Sequence, residues 1–528
     1  MTDHKLQTAD AATTEPQQLT VNAVRPPKGS TTDHTIATPA GPLSFRATAD
    51  WVVLRKLEKP VAEIFHVYYR KLDAARGDAA DPARPVTFVF NGGPGAASAY
   101  LHVGALGPRR IMFAADGTLL PPPSRLTDNE STWLAFTDLV FIDPVGTGFS
   151  RIMTGEPAAT AAPGGKPPEA AAKPAAVDGK DKDKEDDEFF KVNRDLESLC
   201  EFISKFLSKH RLWSRPVFIA GESYGGFRVG KLARKLQEGF GVGLNGAILI
   251  SPAMELSLLD GSDYDILMWS DVFPSQVAAA VHHGRSRAIA KGQQPGAFLP
   301  EVERFACNEL LRLLTLGEAM PAAERSAIVA QTAAYLGLPE AYVEGRAARI
   351  AHAHFARELL RDEKKVVGLY DATITAHDPF PDRDLFEGAD PTLFAIDRVF
   401  TGGINTMLRE QLAVETDLDY HLLSLKVNES WKVDNRKHAF ESQLGATDDL
   451  RYAMALNPHM KVMINHGYHD MVTPYFSSNR LVGLMKLAPE LRQNLTVRHF
   501  TGGHMFYAWE ESRTAFHATA RDFYKSAL

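Results

Sequence analysis

The stretch PVFIAGESYGGF at residues 216–227 decides the fold. Its first five residues form an apolar run typical of a buried strand, and the G-x-S-x-G motif that follows leads into a helix-like segment from Phe227. In this context the motif is predicted to hold Ser223 on a sharp turn that lifts its hydroxyl above the edge of a sheet. Glycines suit such a turn because it leaves little room for a Cβ. We therefore expect Ser223 to be a nucleophile, with a helix N-terminus behind it that favours developing negative charge.

Similar apolar runs recur on both sides of this stretch. Strands that are apolar along their whole length are typical of parallel sheets, because helices cover both faces. Helix-like segments at 192–210 and 227–239 alternate with the runs, whereas residues 43–72 favour a pair of antiparallel strands. The sequence therefore predicts an α/β fold with a central, mostly parallel sheet flanked by helices. The apolar runs lie at residues 86–90, 139–142, 217–220, 247–250 and 462–464.

Four changes in composition divide the chain. Residues 1–40 have few large apolar side chains and are predicted to be a flexible lead-in. Residues 41–252 and 457–528 carry the sheet pattern and form the expected catalytic domain. Residues 155–188 are rich in Ala, Pro, Lys and Asp, which predicts a disordered surface loop. Residues 253–456 show a largely helical pattern without an apolar β run, which predicts a helical cap inserted over the sheet edge.

The overall composition excludes several classes of protein. A formal net charge of -7 on 528 residues gives no reason to expect a nucleic-acid partner. No apolar run reaches the roughly 18 residues needed to cross a bilayer, and the first 18 residues lack the apolar core of a secretory signal. We therefore expect a cytoplasmic protein without a membrane partner, although a periplasmic or secreted location stays open, as does the oligomeric state. Cys200 and Cys307 allow at most one disulfide, and two buried free thiols are the simpler expectation.

A serine hydroxyl needs a base to take its proton, and the base needs an acid to orient it. In folds with this turn the chain order is serine, acid, histidine. The predicted strand at 461–465 ends in a loop that carries Asp470, and the predicted strand at 495–500 leads to His504 between Gly503 and Met505. These positions predict Asp470 as the acid and His504 as the base.

Two of the polar segments allow another interpretation. His466, His469 and Asp470 could form a small metal cluster, but no further ligand set or H-E-x-x-H pattern accompanies them. The glycine-rich turn Asn91-Gly92-Gly93-Pro94-Gly95 could bind phosphate, but no Lys-Ser or Lys-Thr follows it. After a strand ending at Phe90, this turn suits the second backbone donor of an oxyanion hole. We expect no metal and no cofactor, because a triad and an oxyanion hole can carry acyl transfer alone.

Four segments together resemble the serine carboxypeptidase family, whose members have the α/β-hydrolase fold. The resemblance implies hydrolysis of the C-terminal bond of a peptide, through an acyl-enzyme on Ser223. It also implies a protonated Glu222 beside the substrate carboxylate, and hence a preference for mildly acidic pH. The four segments are residues 91–95, 143–150, 221–226 and 503–505. The implied roles are a triad of Ser223, Asp470 and His504, oxyanion-hole N–H groups of Gly93 and Tyr224, a carboxylate site at Asn91 and Glu222, and a substrate pocket that includes Gly92 and Met505.

The chain departs from the family pattern at three positions near these segments. Val89 stands where the family often has tryptophan, Ala105 where a second glutamate is common, and Thr473 where a cysteine usually follows the acid. The first two departures favour an alternative, a serine esterase or acyltransferase with the same triad. A third hypothesis is a catalytically silent protein that binds peptides through the cap.

Overall fold

The computed structural model describes residues 27–73, 81–153, 187–259, 262–383, 386–434 and 444–528. Within these residues a ten-stranded sheet forms the centre of the molecule, and two short hairpins lie outside it. The strands of the central sheet are β1 (Ser30–Thr38), β2 (Gly41–Lys56), β3 (Lys59–Lys71), β4 (Val86–Phe90), β7 (Asp138–Ile142), β8 (Arg151–Ile152), β9 (Val217–Glu222), β10 (Gly246–Ile250), β13 (Lys461–Gly467) and β14 (Leu495–Phe500). The hairpins pair β5 (Arg109–Ile111) with β6 (Leu126–Asp128), and β11 (Lys365–Val367) with β12 (Thr375–His377).

The order of strands across the central sheet is β1-β2-β3-β7-β4-β9-β10-β13-β14, with β8 paired to β3. From β7 to β14 all neighbours run parallel, whereas β1, β2 and β3 form an antiparallel edge. The sheet is thus mostly parallel, and helices flank it. This arrangement is the α/β-hydrolase fold that the sequence predicts.

Helices connect the parallel strands and fill the long excursion between β10 and β13. Val192–His210 and Tyr224–Phe240 flank β9, close to the bounds that the sequence predicts. The other α-helices in the described part of the chain are Ala99–Leu101, Ile266–His282, Pro295–Phe305, Leu311–Leu316, Ala322–Leu336, Glu340–Gly345, His352–Glu358, Leu393–Asn405, Leu425–Glu429, Thr447–Leu456, Tyr475–Leu484, Pro489–Arg492 and Glu510–Ala527. No helix in the described ranges is long and apolar enough to span a membrane.

The central strands separate two apolar cores because successive side chains point to opposite faces. Val86, Phe88 and Phe90 belong to the core that includes the helix Val192–His210, and Val89 belongs to the core on the other face. A third core lies within residues 266–372 and continues onto Met471, Tyr475 and Phe476. The inserted region is therefore packed against the chain that follows Asp470.

Three sequence-based expectations need correction. Ser30–Thr38, which low apolar content assigned to the lead-in, forms edge strand β1, because its β-branched residues suit a pleated strand that needs only Ile36 buried. The inserted region contains the β11–β12 hairpin, although it was predicted to have no apolar β run of its own. Cys200 and Cys307 are free, but Cys307 is exposed because it lies on the outer face of its helical segment.

The predicted disordered loop at 155–188 lies outside the described residues, except for Asp187 and Glu188, which begin a short 3₁₀ helix. Residues 1–26 of the predicted lead-in also lie outside them. Part of the inserted region returns to the loops that follow β4 and β7, because Leu423 bridges to Ala96 and His421 bridges to Gly148.

Candidate active site

Ser223 lies on the turn between β9 and the helix Tyr224–Phe240, with φ 61° and ψ -124°. Such a backbone conformation is costly for a residue with a Cβ and is found mostly where the surroundings impose it. Here the Ser223 N–H donates to the Ile250 carbonyl on the neighbouring strand β10, at 3.0 Å. The side chain is half-buried, whereas its neighbours Glu222 and Tyr224 are buried. The turn therefore presents the Ser223 hydroxyl at the carboxyl edge of the sheet.

The glycines around Ser223 are required by close approach of neighbouring backbone. A Cβ on Gly225 would lie 2.7 Å from the Phe90 carbonyl oxygen, and a Cβ on Gly221 would clash with the Gly225 carbonyl. A Cβ on Gly92 would lie 2.5 Å from the Tyr224 backbone nitrogen, so the Asn91–Gly95 turn is pressed against the start of the helix. The two glycine-rich segments are thus packed together.

Asp470 and His504 form a buried hydrogen-bonded pair in the loops after β13 and β14. Asp470 Oδ2 lies 2.7 Å from His504 Nδ1, and Asp470 Oδ1 accepts the N–H groups of Val472 and Thr473 at 2.8 and 3.0 Å. Burial lowers the pKa of His504, but the negative charge and hydrogen bond of Asp470, with a smaller contribution from Glu222, raise it above its ordinary value. The geometry leaves Nε2 of a neutral His504 as the nitrogen that can accept a proton.

Two hydroxyl residues that the sequence did not single out as site residues also contact this pair. Thr473 Oγ1 lies 2.6 Å from Asp470 Oδ2 and 3.0 Å from His504 Nδ1. Ser251, directly after β10, donates its hydroxyl to the His504 carbonyl at 2.8 Å. The departure of Thr473 from the family pattern does not itself predict a role, and no spacing rule connects Ser251 with His504.

Glu222 and Asn91 meet beside the serine turn. The Asn91 side-chain amide donates to Glu222 Oε2, and Asn91 Oδ1 accepts the Leu101 N–H at 3.0 Å. Among the described residues neither Glu222 Oε1 nor the nearby Tyr507 hydroxyl has a hydrogen-bond partner of good geometry. Burial raises the pKa of Glu222 to about 7, although His504, Tyr507 and Asn91 act in the opposite direction. Glu222 can therefore carry a proton at mildly acidic pH.

A buried ion pair supports the serine turn from below. Arg228 donates to both carboxylate oxygens of Asp195, at 2.8 and 3.0 Å, and to the Asn91 carbonyl at 2.8 Å. Both side chains are almost fully buried. Arg228 thereby ties the helix after Ser223 to the turn that carries Asn91, a link that sequence spacing could not reveal.

The polar side chains of the Asp143–Ser150 segment hydrogen-bond to the neighbouring backbone. Asp143 Oδ1 accepts the Ser98 N–H at 2.9 Å, and the Ser150 hydroxyl donates to the Asp143 carbonyl at 2.6 Å. A Cβ on Gly148 would overlap the Asp143 carboxylate. The segment therefore holds the chain that follows the Asn91–Gly95 turn.

Two residues of the inserted region reach the same edge of the sheet. The Tyr370 carbonyl accepts the His504 N–H at 2.5 Å, and the Tyr370 ring packs edge-on against the imidazole. Asp397, in the helix Leu393–Asn405, accepts the Tyr100 hydroxyl at 2.5 Å. Neither residue belongs to a motif, so sequence patterns do not predict their place in the site.

The remaining predicted site residues occupy compatible positions. Gly93 is exposed with φ 95°, and Tyr224 begins a helix, where the first N–H groups have no partner within the helix. Met505 is buried directly after His504. No group of three or more His, Cys, Asp or Glu side chains in the described ranges could hold a metal ion. His466, a residue of the alternative metal cluster, instead places its Nε2 2.8 Å from the Ser478 hydroxyl.

Comparison with known proteins finds similarity to the family that the motifs resemble. Residues 40–257 match the family model of the serine carboxypeptidases. Serine carboxypeptidase-like 13 from Arabidopsis thaliana is 25% identical over 215 residues, which span 40% of this chain and only 40% of that relative. The crystal structure of Kex1Δp, a prohormone-processing carboxypeptidase from Saccharomyces cerevisiae, aligns over 91% of both chains with 15% identity and a TM-score of 0.51, which supports the fold alone. The resemblance to the serine carboxypeptidase family is thus confirmed, within an α/β-hydrolase fold.

Proposed function

We propose that this protein is a serine-type carboxypeptidase that hydrolyses the C-terminal bond of peptides through an acyl-enzyme on Ser223. The observation that carries the proposal is the buried Asn91–Glu222 pair next to the serine turn, at the edge where Asp470 and His504 meet. A triad alone serves many hydrolases, but a carboxyl that can be protonated beside it suits recognition of a free carboxylate.

In the proposed acylation step, Ser223 Oγ attacks the carbonyl carbon of the last peptide bond while His504 Nε2 takes the serine proton. Asp470 holds the Nδ1 proton and stabilises the imidazolium. The N–H groups of Gly93 and Tyr224 would bind the oxyanion, and removing one such donor typically costs about 10²–10³ in turnover. The C–N bond then breaks, and His504 returns the proton to the amine of the departing amino acid.

In the proposed deacylation step, His504 activates a water molecule that attacks the ester carbonyl of the acyl-enzyme. Collapse of the second tetrahedral intermediate releases the shortened peptide and returns the proton to Ser223. Every proton in the cycle is thus carried by the triad and water.

The C-terminal carboxylate would lie against Asn91 and Glu222. A protonated Glu222 can donate a hydrogen bond to that carboxylate, whereas an ionised Glu222 would repel it. Because the pKa of Glu222 is raised to about 7, the donating form is abundant below neutral pH. Gly92 and Met505 would line the pocket beside this contact, and residues 253–456 would act as a cap, with Tyr370 against His504.

The decisive experiment compares N-blocked dipeptides with the same dipeptides amidated at the C-terminus. We expect release of the C-terminal amino acid from the free acids, at least tenfold slower cleavage of the amides, and loss of both in Ser223→Ala. The purified protein and the variant should show the same circular dichroism.

Two other outcomes would contradict the proposal. Amides or simple esters cleaved as fast as the free acids would indicate the alternative, a serine esterase or acyltransferase. No turnover, together with no labelling of Ser223 by a fluorophosphonate probe, would indicate a catalytically silent binding protein.

A further inference from the structure

The Thr473 hydroxyl lies at a junction of three polar groups in the buried site. Its Oγ1 is 2.6 Å from Asp470 Oδ2, 3.0 Å from His504 Nδ1 and 3.0 Å from the Ser251 carbonyl oxygen. The side chain is 2% exposed, so these groups are its surroundings rather than solvent. A hydroxyl in this place must act on the Asp470–His504 pair.

The direction of the Thr473 hydrogen bonds follows from its single hydroxyl proton. Thr473 has one hydroxyl proton and two possible acceptors, Asp470 Oδ2 and the Ser251 carbonyl. The carboxylate is the shorter contact and is charged, so it is the stronger acceptor. With its proton directed at Asp470, the Thr473 oxygen can accept part of the Nδ1–H of His504. That proton is then shared between Asp470 and Thr473, and its only alternative position, on Nε2, is disfavoured.

Ser251 fixes Thr473 and His504 relative to each other. Its carbonyl borders the Thr473 hydroxyl, and its own hydroxyl donates to the His504 carbonyl at 2.8 Å. Ser251 has φ 41°, a value that residues with a Cβ adopt rarely, and its N–H donates to Asn465 on β13 at 2.7 Å. One residue at the end of β10 thus anchors both the acid loop and the histidine loop.

We propose that Thr473, held by Ser251, is a positioning residue that keeps the His504 proton on Nδ1 and leaves Nε2 free for Ser223. The inference rests on the proposed function. A cysteine is usual at this place in the resembled family, and a thiol is a weak hydrogen-bond donor. The strong hydroxyl contact is therefore a feature of this chain.

Four titratable groups face His504 from the elements packed around it. Asp470 and Glu222 favour its protonated form. His466 on β13 carries no charge near neutral pH, because burial lowers its pKa well below the ordinary value. The Tyr370 ring covers one side of the imidazole from the inserted region. Substitution of Thr473 leaves all four in place, so a change in the titration of His504 would report the lost hydroxyl.

The test replaces Thr473 by valine, which keeps the shape and removes the hydroxyl. We expect kcat for an N-blocked dipeptide to fall about tenfold with little change in KM, as for a group acting in the transition state. The variant loses two contacts with opposite effects on the pKa of His504: the donor to Asp470 at 2.6 Å, and the acceptor near Nδ1 at 3.0 Å. The shorter contact, to the charged group, dominates, so the charge of Asp470 should favour the imidazolium more strongly and the acid limb of kcat/KM should move up by about one pH unit. Thr473→Ser should restore both values.

A second readout separates this inference from the proposed function. In ¹⁵N-histidine-labelled protein, with His504 assigned by loss of its signal in His504→Gln, the imidazole titration should show the same upward move in Thr473→Val. It does so whether or not any peptide is cleaved. If the valine variant fails to fold, Thr473→Cys keeps a weaker donor of similar size and should give a smaller move in the same direction.

The matched control is Ser478→Ala, which removes a buried hydroxyl from the neighbouring imidazole of His466. This variant should leave the titration of His504 as in the wild type. An unchanged titration in both Thr473→Val and Thr473→Cys, or an equal move in Ser478→Ala, would overturn the inference.

Discussion

Two carboxyl groups at the carboxyl edge of the sheet are equally buried but have opposite surroundings. Asp470, in the loop after β13, is approached by two backbone N–H groups, the Thr473 hydroxyl and His504. Glu222, the last residue of β9, receives the Asn91 amide on one oxygen. Its other oxygen has no hydrogen bond of good geometry among the described residues, although the Tyr507 hydroxyl lies nearby. Asp470 is 0% and Glu222 2% exposed, so burial does not distinguish them.

The difference teaches that the number of donors directed at a buried carboxyl determines its role. Donors stabilise the charged form, which suits Asp470 as the partner of an imidazolium. Few donors leave desolvation dominant, which raises the pKa of Glu222 to about 7 and suits a group that gives a proton to another carboxylate. The same edge of the sheet thus holds two carboxyls, Asp470 as a hydrogen-bond acceptor and Glu222 as a hydrogen-bond donor.

The largest expected effect comes from removing the charge of Asp470. In Asp470→Asn the side-chain amide would donate towards His504 and favour the tautomer protonated on Nε2, which cannot accept the Ser223 proton. We expect kcat for an N-blocked dipeptide to fall by about 10⁴-fold, as in other triads. A steady-state kinetic comparison at pH 6 and pH 8 would measure the loss.

The matched control for this variant is Asp371→Asn. Asp371 is a half-buried carboxyl close to Gly503 that binds Thr373 and Trp509 instead of His504. We expect its activity to stay within about fivefold of the wild type. Losses of similar size in both variants would mean that general damage to the site, not the pairing with His504, sets the rate.

A smaller effect, on the preference for free carboxylates over amides, is expected when Glu222 can no longer ionise. Glutamine keeps a hydrogen-bond donor at every pH, so Glu222→Gln should retain the preference for free carboxylates over amides up to pH 9. In the wild type this preference should fall about tenfold for each pH unit above a pKa of about 7, because ionised Glu222 repels the substrate. The measurement is the ratio of kcat/KM for the two dipeptide series between pH 5 and pH 9.

The control here is Glu63→Gln, which removes another buried carboxyl whose pKa is raised to about 7, on β3. Its substrate preference should follow the wild-type curve. A wild-type preference that is independent of pH would show that Glu222 is not the donor to the substrate carboxylate.

The sequence predicts the main features of this edge but not the donors that distinguish its two carboxyls. Apolar runs predicted the parallel strands, and the order of motifs led to Asp470 and His504. Ser251 and Tyr370 are ordinary residue types at irregular spacing. Ser251 reaches the site because the sheet order places β10 beside β13, and Tyr370 reaches it because the inserted region packs against the chain that follows Asp470. Strand β1 was missed because averaged composition hides the alternation that lets Ile36 alone face the core.

The smallest expected effect is on the stability of the protein. It concerns Glu63, a buried carboxyl outside the site that, like Glu222, has few hydrogen-bond donors. Among the described residues neither oxygen of Glu63 has a hydrogen-bond partner, and burial raises its pKa to about 7 although Arg151 opposes this. A carboxyl whose folded pKa lies above its unfolded value of about 4.5 binds its proton more tightly in the folded state. Its contribution to stability is therefore complete below pH 4.5 and is lost as the pH rises to about 7.

Buried neutral histidines oppose this trend in the whole protein. Burial lowers the pKa of both His66 and His102 to about 3, so they destabilise the folded state as the pH falls below their unfolded value near 6.5. Both are present in wild type and in Glu63→Gln, so their effect cancels in the difference between the two proteins. We expect Glu63→Gln to gain roughly 1–3 °C in Tm relative to wild type between pH 5 and pH 8, by differential scanning calorimetry. If the difference in Tm between Glu63→Gln and wild type does not change with pH, Glu63 is ionised in the folded state. A lack of hydrogen-bond donors would then not be enough to keep a buried carboxyl neutral.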